Sequence, residues 1–359
     1  MSDPVIIVGS GPAGSSAALA LLERGIPVLM LEAGSAKTTP PPPGQYLDLR
    51  FKDASQWHWL VGKDGEALSA AASASPKFRV PGLRSIFAGY ANANQLHTSG
   101  FHLVGAMAPG GLSNAWGCGV ARFNADELGV LSNDAANMDL AFERVARRMG
   151  LSGASDDALR DVTGLDAYSG PALPLDYLHS TLWERRHRLS QFSDFRMGRA
   201  RVAVLGADQG DRKACNQAGT CLWGCARGAT WSAAFDVEQI RKHPLARVET
   251  NTCVVAVHSD GAGHWTVDAI TQGESRRFRA SRVILAAGTI ASTRLALAAM
   301  PTPPASLRLQ SNPMAAFLLC LPGALGRPRT ADFGLAQLSF ALDLPASSAS
   351  DTGVVYRLA

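Results

Sequence analysis

Charge is scarce in this chain: 18% of its 359 residues are Asp, Glu, Lys or Arg, against 47% hydrophobic. So little charge beside so much apolar surface excludes wholesale disorder. The signs are nearly even, 34 basic to 30 acidic for a net +4, which excludes a polyelectrolyte surface built for nucleic acid. The densest basic stretch, Arg185 to Lys213, is interspersed with Asp194, Asp208 and Asp211 and reads as a solvated face. No run reaches the ~18 uninterrupted apolar residues of a membrane-spanning helix. The nearest, Ile284 to Met300, is broken by Thr289, Ser292, Thr293 and Arg294. Little precedes the first strand-like run at Pro4, so a signal peptide is not expected and the cytoplasm is the expected compartment. Cysteine is sparse as well. Six in a chain of this size, without a secretory signal, are expected to be reduced thiols or ligands and not a disulfide frame. No internal repeat is present, which excludes a solenoid.

What is present suits a globular protein of roughly two domains, at about 150 residues each. Pro4 to Val8 is a short apolar run of buried-strand type, Gly9 to Gly14 a turn, Ser15 to Arg24 an Ala/Leu-rich helix ended by Gly25, and Val28 to Leu31 a second strand. That order predicts a parallel sheet with a right-handed crossover. Thr38 to Gly44, with its run of prolines, reads as a rigid loop. An amphipathic helix is expected over Asp126 to Arg148. Strands are expected at Val248–Val257, Trp265–Ile270 and Arg282–Ala287, then a helix from Ser292 to Met300. Further strands are expected at Met314–Leu321 and Leu335–Leu342.

Gly9-Ser-Gly11-Pro12-Ala13-Gly14 follows a strand and opens a helix, the setting in which this glycine spacing acquires meaning. Gly9 permits the tight turn, Gly11 lets backbone amides approach a pyrophosphate, and Gly14 allows close helix-to-strand contact. Glu32, followed by Ala33, ends the second strand and is placed to accept hydrogen bonds from ribose hydroxyls. Two later segments also offer close backbone approach. One is Pro109 to Cys118, where Gly110 and Gly111 precede Ser113, Asn114 and Trp116. The other is Arg282 to Arg294, a strand ending at Ala287, Gly288 and Thr289. Each alone could be a close-packed turn, and Trp116 could serve packing as readily as a cofactor.

The three segments together, Gly9 to Gly14 with Glu32, Gly110 to Gly117, and Leu285 to Leu295, resemble the glucose-methanol-choline (GMC) oxidoreductase family. The likeness is strongest to its bacterial FAD-dependent alcohol or sugar dehydrogenase and cholesterol-oxidase-like branches. The resemblance implies that they bind, in order, the ADP half of FAD, the pyrophosphate and flavin region, and the adenosine side again. By position, Val254 resembles the family residue whose backbone meets the adenine. An NAD(P) dehydrogenase would not need the second and third segments.

Cys215, Cys221 and Cys225 cluster in sequence, and thiolates are soft donors that hold cluster irons. Their spacing resembles the sugar-dehydrogenase branch, in which three such residues hold a [3Fe-4S] cluster, although Ala226 stands where a Pro is usual. A buried structural turn is the other reading. Cys118, Cys253 and Cys320 read as core thiols, and no His has a triad-like or metal-like neighbourhood; His97 and His102 are too loosely spaced.

The resemblance implies an α/β fold: a Rossmann-like FAD-binding domain built from discontinuous segments, with an inserted α+β substrate domain. We expect residues 1–150 and 213–300 to form the first, 151–212 a substrate-side or cap segment, and 301–359 an incomplete substrate domain. It also implies hydride transfer to flavin from the C–OH group of an alcohol, sugar or sterol-like substrate, with an electron acceptor or a complementary subunit as partner. The family places its catalytic His near the C-terminus. The chain reaches Ala359 without a matching residue, so no catalytic residue is assigned. The alternative is a flavin-binding but catalytically incompetent fragment or assembly subunit.

Overall fold

The computed structural model describes residues 3–68, 76–123, 128, 135–192, 194–309, 320, 322–326, 333–343 and 350–355. The chain divides into two compact units, each discontinuous in sequence. One comprises Met1–Thr39, Asp64–Trp116 and Ser232–Leu319, the other Pro40–Lys63, Gly117–Trp231 and Cys320–Ala359.

The first unit is organised by a four-stranded parallel sheet. Strand β1 (Val5–Val8) feeds helix α1 (Pro12–Leu22), which returns to β2 (Val28–Leu31). Helix α2 (Ala233–Arg241) leads to β3 (Ala246–Glu249), which pairs with β2. The chain then forms an antiparallel meander of β4 (Thr252–Ser259), β5 (Trp265–Thr271) and β6 (Glu274–Ala280). It re-enters the sheet as β7 (Val283–Leu285) beside β1, and helix α3 (Thr289–Ala299) follows. The sheet order is thus β7-β1-β2-β3.

Alternation along these strands sends side chains to opposite faces, and both faces are covered, which is why β1 and β2 read as unbroken apolar runs. Ile7, Val28 and Met30 pack with Ala18 and Leu22 of α1 and with Val237 and Ile240 of α2. Ile6, Val8, Leu29 and Leu31 pack with Val254, Val257 and Val267 of the meander and with Leu295 of α3. Fully burying an aliphatic side chain of this size stabilises by about 1.5–3 kcal/mol. The two clusters therefore hold the helices and the meander to the sheet.

Several elements differ from expectation. The stretch Val248–Val257 is two strands in two sheets, because Asn251 turns the chain at φ +54° and Thr252 N–H then donates to Glu32 O at 2.9 Å. Strand β6 was not anticipated. Its sequence is too charged to signal a strand, and Arg276, Arg277 and Arg279 are held by Glu249, Asp268 and Asp260. Helices α1 and α3 begin three residues before the expected starts, each at the first position after a glycine.

The second unit contains an antiparallel sheet of Phe195–Arg199, Leu338–Asp343 and Ser350–Val355, with Leu338–Asp343 in the middle. The strand expected from Leu335 thus begins at Leu338. The one expected at Met314–Leu321 lies outside the described residues apart from Cys320. The amphipathic helix expected over Asp126 to Arg148 is Ala135–Met149, burying Ala146 and exposing Leu140. In this unit the buried Arg201 is enclosed by two carboxylates. Asp166 takes Nε and Nη2, each at 2.9 Å, and Asp157 takes Nη1 at 3.0 Å. Burial opposes the Arg201 charge, but the two acids more than offset it and hold its pKa above the ordinary value.

The chain therefore has an α/β fold, with the parallel sheet and a second, interrupting unit as expected. The boundaries differ. The segment that includes Cys215, Cys221 and Cys225 is in the second unit, because Leu205 N–H donates to Ala229 O and Trp231 N–H to Ala203 O. That pairing ties it to the preceding chain and not to the parallel sheet. No helix among the described residues is long and apolar enough to cross a membrane.

Candidate cofactor site

The first unit opens a cleft of about 620 Å³ at the carboxyl ends of β1, β2 and β7, where open α/β sheets bind ligands. Its base is the turn after β1. Gly9 has φ +98°, and a Cβ there would stand 2.5 Å from Ala286 O and 2.8 Å from Ala287 Cα. The absence of a side chain therefore lets the turn lie against the end of β7. Gly14 is tighter still, since its Cβ would be 2.0 Å from Gly9 O. Gly11 differs in kind: its φ of −64° is ordinary and its Cβ would meet nothing within 4 Å. The open space beside Gly11 belongs to the cleft.

Two helix N-termini border this space. Helices α1 and α3 start after Gly11 and Gly288, neither of which has a side chain to cap the helix. Pro12 has no N–H, so at α1 the amides of Ala13 and Gly14 lack an intrahelical acceptor. At α3, Thr289 and Ile290 are in the same state. The first turn of α3 stands beside Tyr90, whose pKa burial raises and the Ala291 amide partly lowers. Unpaired amides at a positive dipole end favour anions. Among the described residues no Lys or Arg lines the cleft, so these amides are the positive groups on its wall, with Arg294 acting from behind Tyr90 and Cys253.

Glu32 stands at the end of β2, 5% exposed. Its Oε2 accepts from Ser10 N–H at 3.0 Å and from Ser10 Oγ–H at 2.6 Å, and its Oε1 accepts from Gly34 N–H at 2.9 Å. Burial pushes the carboxyl pKa up from 4.5, and the Ser10 and Gly34 donors pull it partly back. Ser10 Oγ also accepts from Gly110 N–H at 3.2 Å. The second glycine segment is thereby fastened to the first, and Gly111 lies so close that its Cβ would be 3.2 Å from Gly11 Cα.

Of the residues named from sequence, Gly9, Gly11, Pro12, Ala13, Glu32, Ala33, Gly111, Val254, Ala287, Gly288 and Thr289 line this one cleft. Gly14 lies beneath it, and Gly110 backs onto α2, where its Cβ would be 2.5 Å from Ala234 N. Ser113, Asn114 and Trp116 are not in the lining. Ser113 Oγ donates to Gly110 O at 2.5 Å and accepts from Ala233 N–H at 2.9 Å. Asn114 bonds Pro109 O, Gly111 O and Ser232 Oγ. The Trp116 carbonyl accepts from Lys77. Their polar groups shape the loop and its junction with α2.

Sequence reading missed Ser10, Tyr90, Asn94, Gly105, Met107 and Cys253, all of which line the cleft. Ser10 occupies a variable position of the glycine motif. Tyr90 and Asn94 lie in a stretch with no motif. Gly105 carried a weak signal as a glycine ahead of the pair, and a Cβ there would fall 2.1 Å from the Tyr90 ring.

The cysteines follow the structural reading. Cys221 is pushed up to about 12, chiefly by burial, and Cys215 is raised for the same reason. Gln217 N–H approaches Cys215 Sγ at 3.4 Å and Ala229 N–H approaches Cys225 Sγ at 3.3 Å, contacts of a packed turn. Among the described residues no group of three His, Cys, Asp or Glu side chains is arranged to hold a metal ion, so a [3Fe-4S] cluster on the three cysteines finds no support. Cys118 is buried and Cys253 half-buried, but Cys320 is exposed and is no core thiol.

A parallel sheet with a glycine turn, uncapped helix N-termini and a buried acid at the second strand defines a dinucleotide-binding α/β protein. Residues 2–50 match the family model described as FAD binding domain, which supports FAD as the dinucleotide. No curated protein matches the chain. Among solved structures it is similar to pyridoxine 4-oxidase from Mesorbium loti, at 17% identity and a TM-score of 0.48 over 82% of this chain and 51% of that one. It is similar also to a fungal aryl-alcohol oxidase, at 13% identity and 0.45 over 80% and 46%. A third is Aspergillus oryzae formate oxidase, at 15% and 0.45 over 83% and 48%. The chain spans about half the length of the structures it matches.

Proposed function

We propose that this protein is an FAD-dependent oxidoreductase of GMC type that oxidises a C–OH group of an alcohol, sugar or sterol-like substrate by hydride transfer to flavin. The observation that carries the reading is the convergence of all three resemblance-bearing segments on one cleft with two uncapped helix N-termini. Bound FAD supplies the hydride acceptor. The chain's own residues bind and orient. The amides after Gly11 receive pyrophosphate oxygens, Glu32 accepts from ribose hydroxyls with the lone pairs left by Ser10 and Gly34, and the Val254 backbone meets the adenine. A partner, either a further electron carrier or a complementary polypeptide, takes the electrons onward or completes the substrate side.

A second reading, flavin binding without turnover, is favoured by the cleft's ionisable groups. These are Glu32, Tyr90 and Cys253, and burial raises the pKa of each. Among the described lining residues there is no His or Lys, and Glu32 is already engaged by Ser10 and Gly34. One experiment separates the readings. The purified chain should show the visible spectrum of bound flavin, and an anaerobic panel of primary alcohols, sugars and sterols should bleach it. Bound flavin that no substrate bleaches would establish the second reading; a colourless protein that takes up no added FAD would overturn both.

A further inference from the structure

Beside the cofactor cleft the first unit has a second hollow of about 320 Å³, reached between Phe78, Phe87, Tyr90 and the chain from His102 to Gly105. Phe78 and Phe87 meet edge to face, with centroids 4.7 Å apart and planes at 78°. Tyr90, Val104 and Gly105 line both spaces, so the Tyr90 ring is a wall common to hollow and cleft. That ring is held from two sides. Gly105 lies against its face, and the first turn of α3, at Ala291, stands beside its hydroxyl.

The chemistry of the lining selects an occupant. Among the described residues no Lys, Arg, Asp or Glu contributes to it and His102 sits at the exposed rim, so a charged ligand would lose hydration with no buried charge to pair it. Three aromatic rings and Leu103 supply flat apolar surface, while Asn92 and His102 are exposed and offer hydrogen bonds at the rim. The volume is at the lower end of small-molecule sites and about half that of the cofactor cleft, which is too small for a second dinucleotide. Flat aromatic walls gain dispersion contacts against a flat ligand. We propose that the hollow is a second ligand site, for a small neutral planar aromatic molecule of one or two rings with a single polar substituent, bound against the far face of a cofactor-site wall. This proposal does not depend on the proposed oxidation.

Indole serves as the probe, with benzoate and benzylamine as charged controls and cyclohexanol as a non-planar one. Saturation-transfer NMR is run on the full chain as purified with its flavin. Indole should bind in preference to all three controls. Phe87→Ala, which removes half of the edge-to-face pair, should weaken it by about tenfold. Ala91→Phe, which fills the hollow from an exposed position, should abolish binding while leaving the melting temperature and the flavin absorbance unchanged. Indole binding that survives Ala91→Phe undiminished, benzoate binding as tight as indole, or no indole binding to a folded, flavin-loaded chain would each overturn the proposal. The flavin absorbance reads the cofactor assignment separately, so the two can fail independently.

Discussion

Ser10 and Glu32 are joined by two hydrogen bonds to one carboxylate oxygen, from the Ser10 amide at 3.0 Å and its hydroxyl at 2.6 Å. The same hydroxyl accepts from Gly110, so a single serine couples the first glycine turn, the ribose-side acid and the second glycine segment. Ser10→Ala should leave the fold intact but free Gly110 from the first turn. Apoprotein titrated with FAD and followed by flavin fluorescence should bind about tenfold more weakly, the scale of losing a hydrogen bond to a charged group.

The buried Glu32 also sets a pH dependence. Its pKa in the folded chain is raised above 4.5, so between that value and the folded pKa the native state holds more proton than the unfolded one. Its contribution to stability is therefore fully present below about pH 4.5 and declines as pH rises through the folded pKa. In urea unfolding of the apoprotein across this range, Glu32→Gln should flatten the decline and gain stability relative to the parent on the alkaline side.

Gly11 and Gly14 should separate binding from folding. Gly11→Val places its side chain in open cleft, so the protein should melt within a few degrees of the parent yet purify without flavin. Gly14→Ala drives a methyl to 2.0 Å from Gly9 O and should cost about 1–3 kcal/mol or more of stability. A Gly11→Val protein that stays yellow would remove the pyrophosphate assignment.

In the second unit, Arg201→Ala would leave Asp157 and Asp166 facing each other without the cation between them. Breaking a buried pair in this way costs about 3–5 kcal/mol. Arg201→Lys should lose the two-pronged contact with Asp166 and fall between that variant and the parent, as read by denaturant midpoints.

Thiol chemistry should follow burial and not sequence spacing. Cys320, exposed, should react first with a maleimide at pH 7.5, Cys221, half-buried with its thiol raised to about 12, much more slowly, and Cys118, buried, only on unfolding. Peptide mapping after timed labelling gives the order, and fast labelling of Cys221 in the native chain would contradict it.

The unit from β1 to Glu32 was legible because every determinant in it is local. An apolar run, a glycine spacing, a helix and an acid at a strand end are all contained in 28 consecutive residues (Val5 to Glu32). Gly111 and Gly288 were legible too, since glycine is where backbone must approach something. Ser113 and Asn114 were placed in the right loop, but their bonds turn inward to Gly110, Pro109 and α2, which no local pattern reveals. Tyr90 carried no signal at all. Its place follows from Gly105 and Ala291, 15 and 201 positions away.

By itself, then, the sequence determined that a dinucleotide turn exists, which backbone positions must lack a side chain, and which acid ends the second strand. Short-range sterics and strand alternation act within a few residues of the chain. Only the tertiary structure decided that three distant segments share one cleft, that Ser10 ties the first two of them together, and that Cys215, Cys221 and Cys225 sit in a packed turn in the other unit. Those outcomes depend on burial and long-range hydrogen bonds, which exist only once chain segments far apart in sequence are packed against one another.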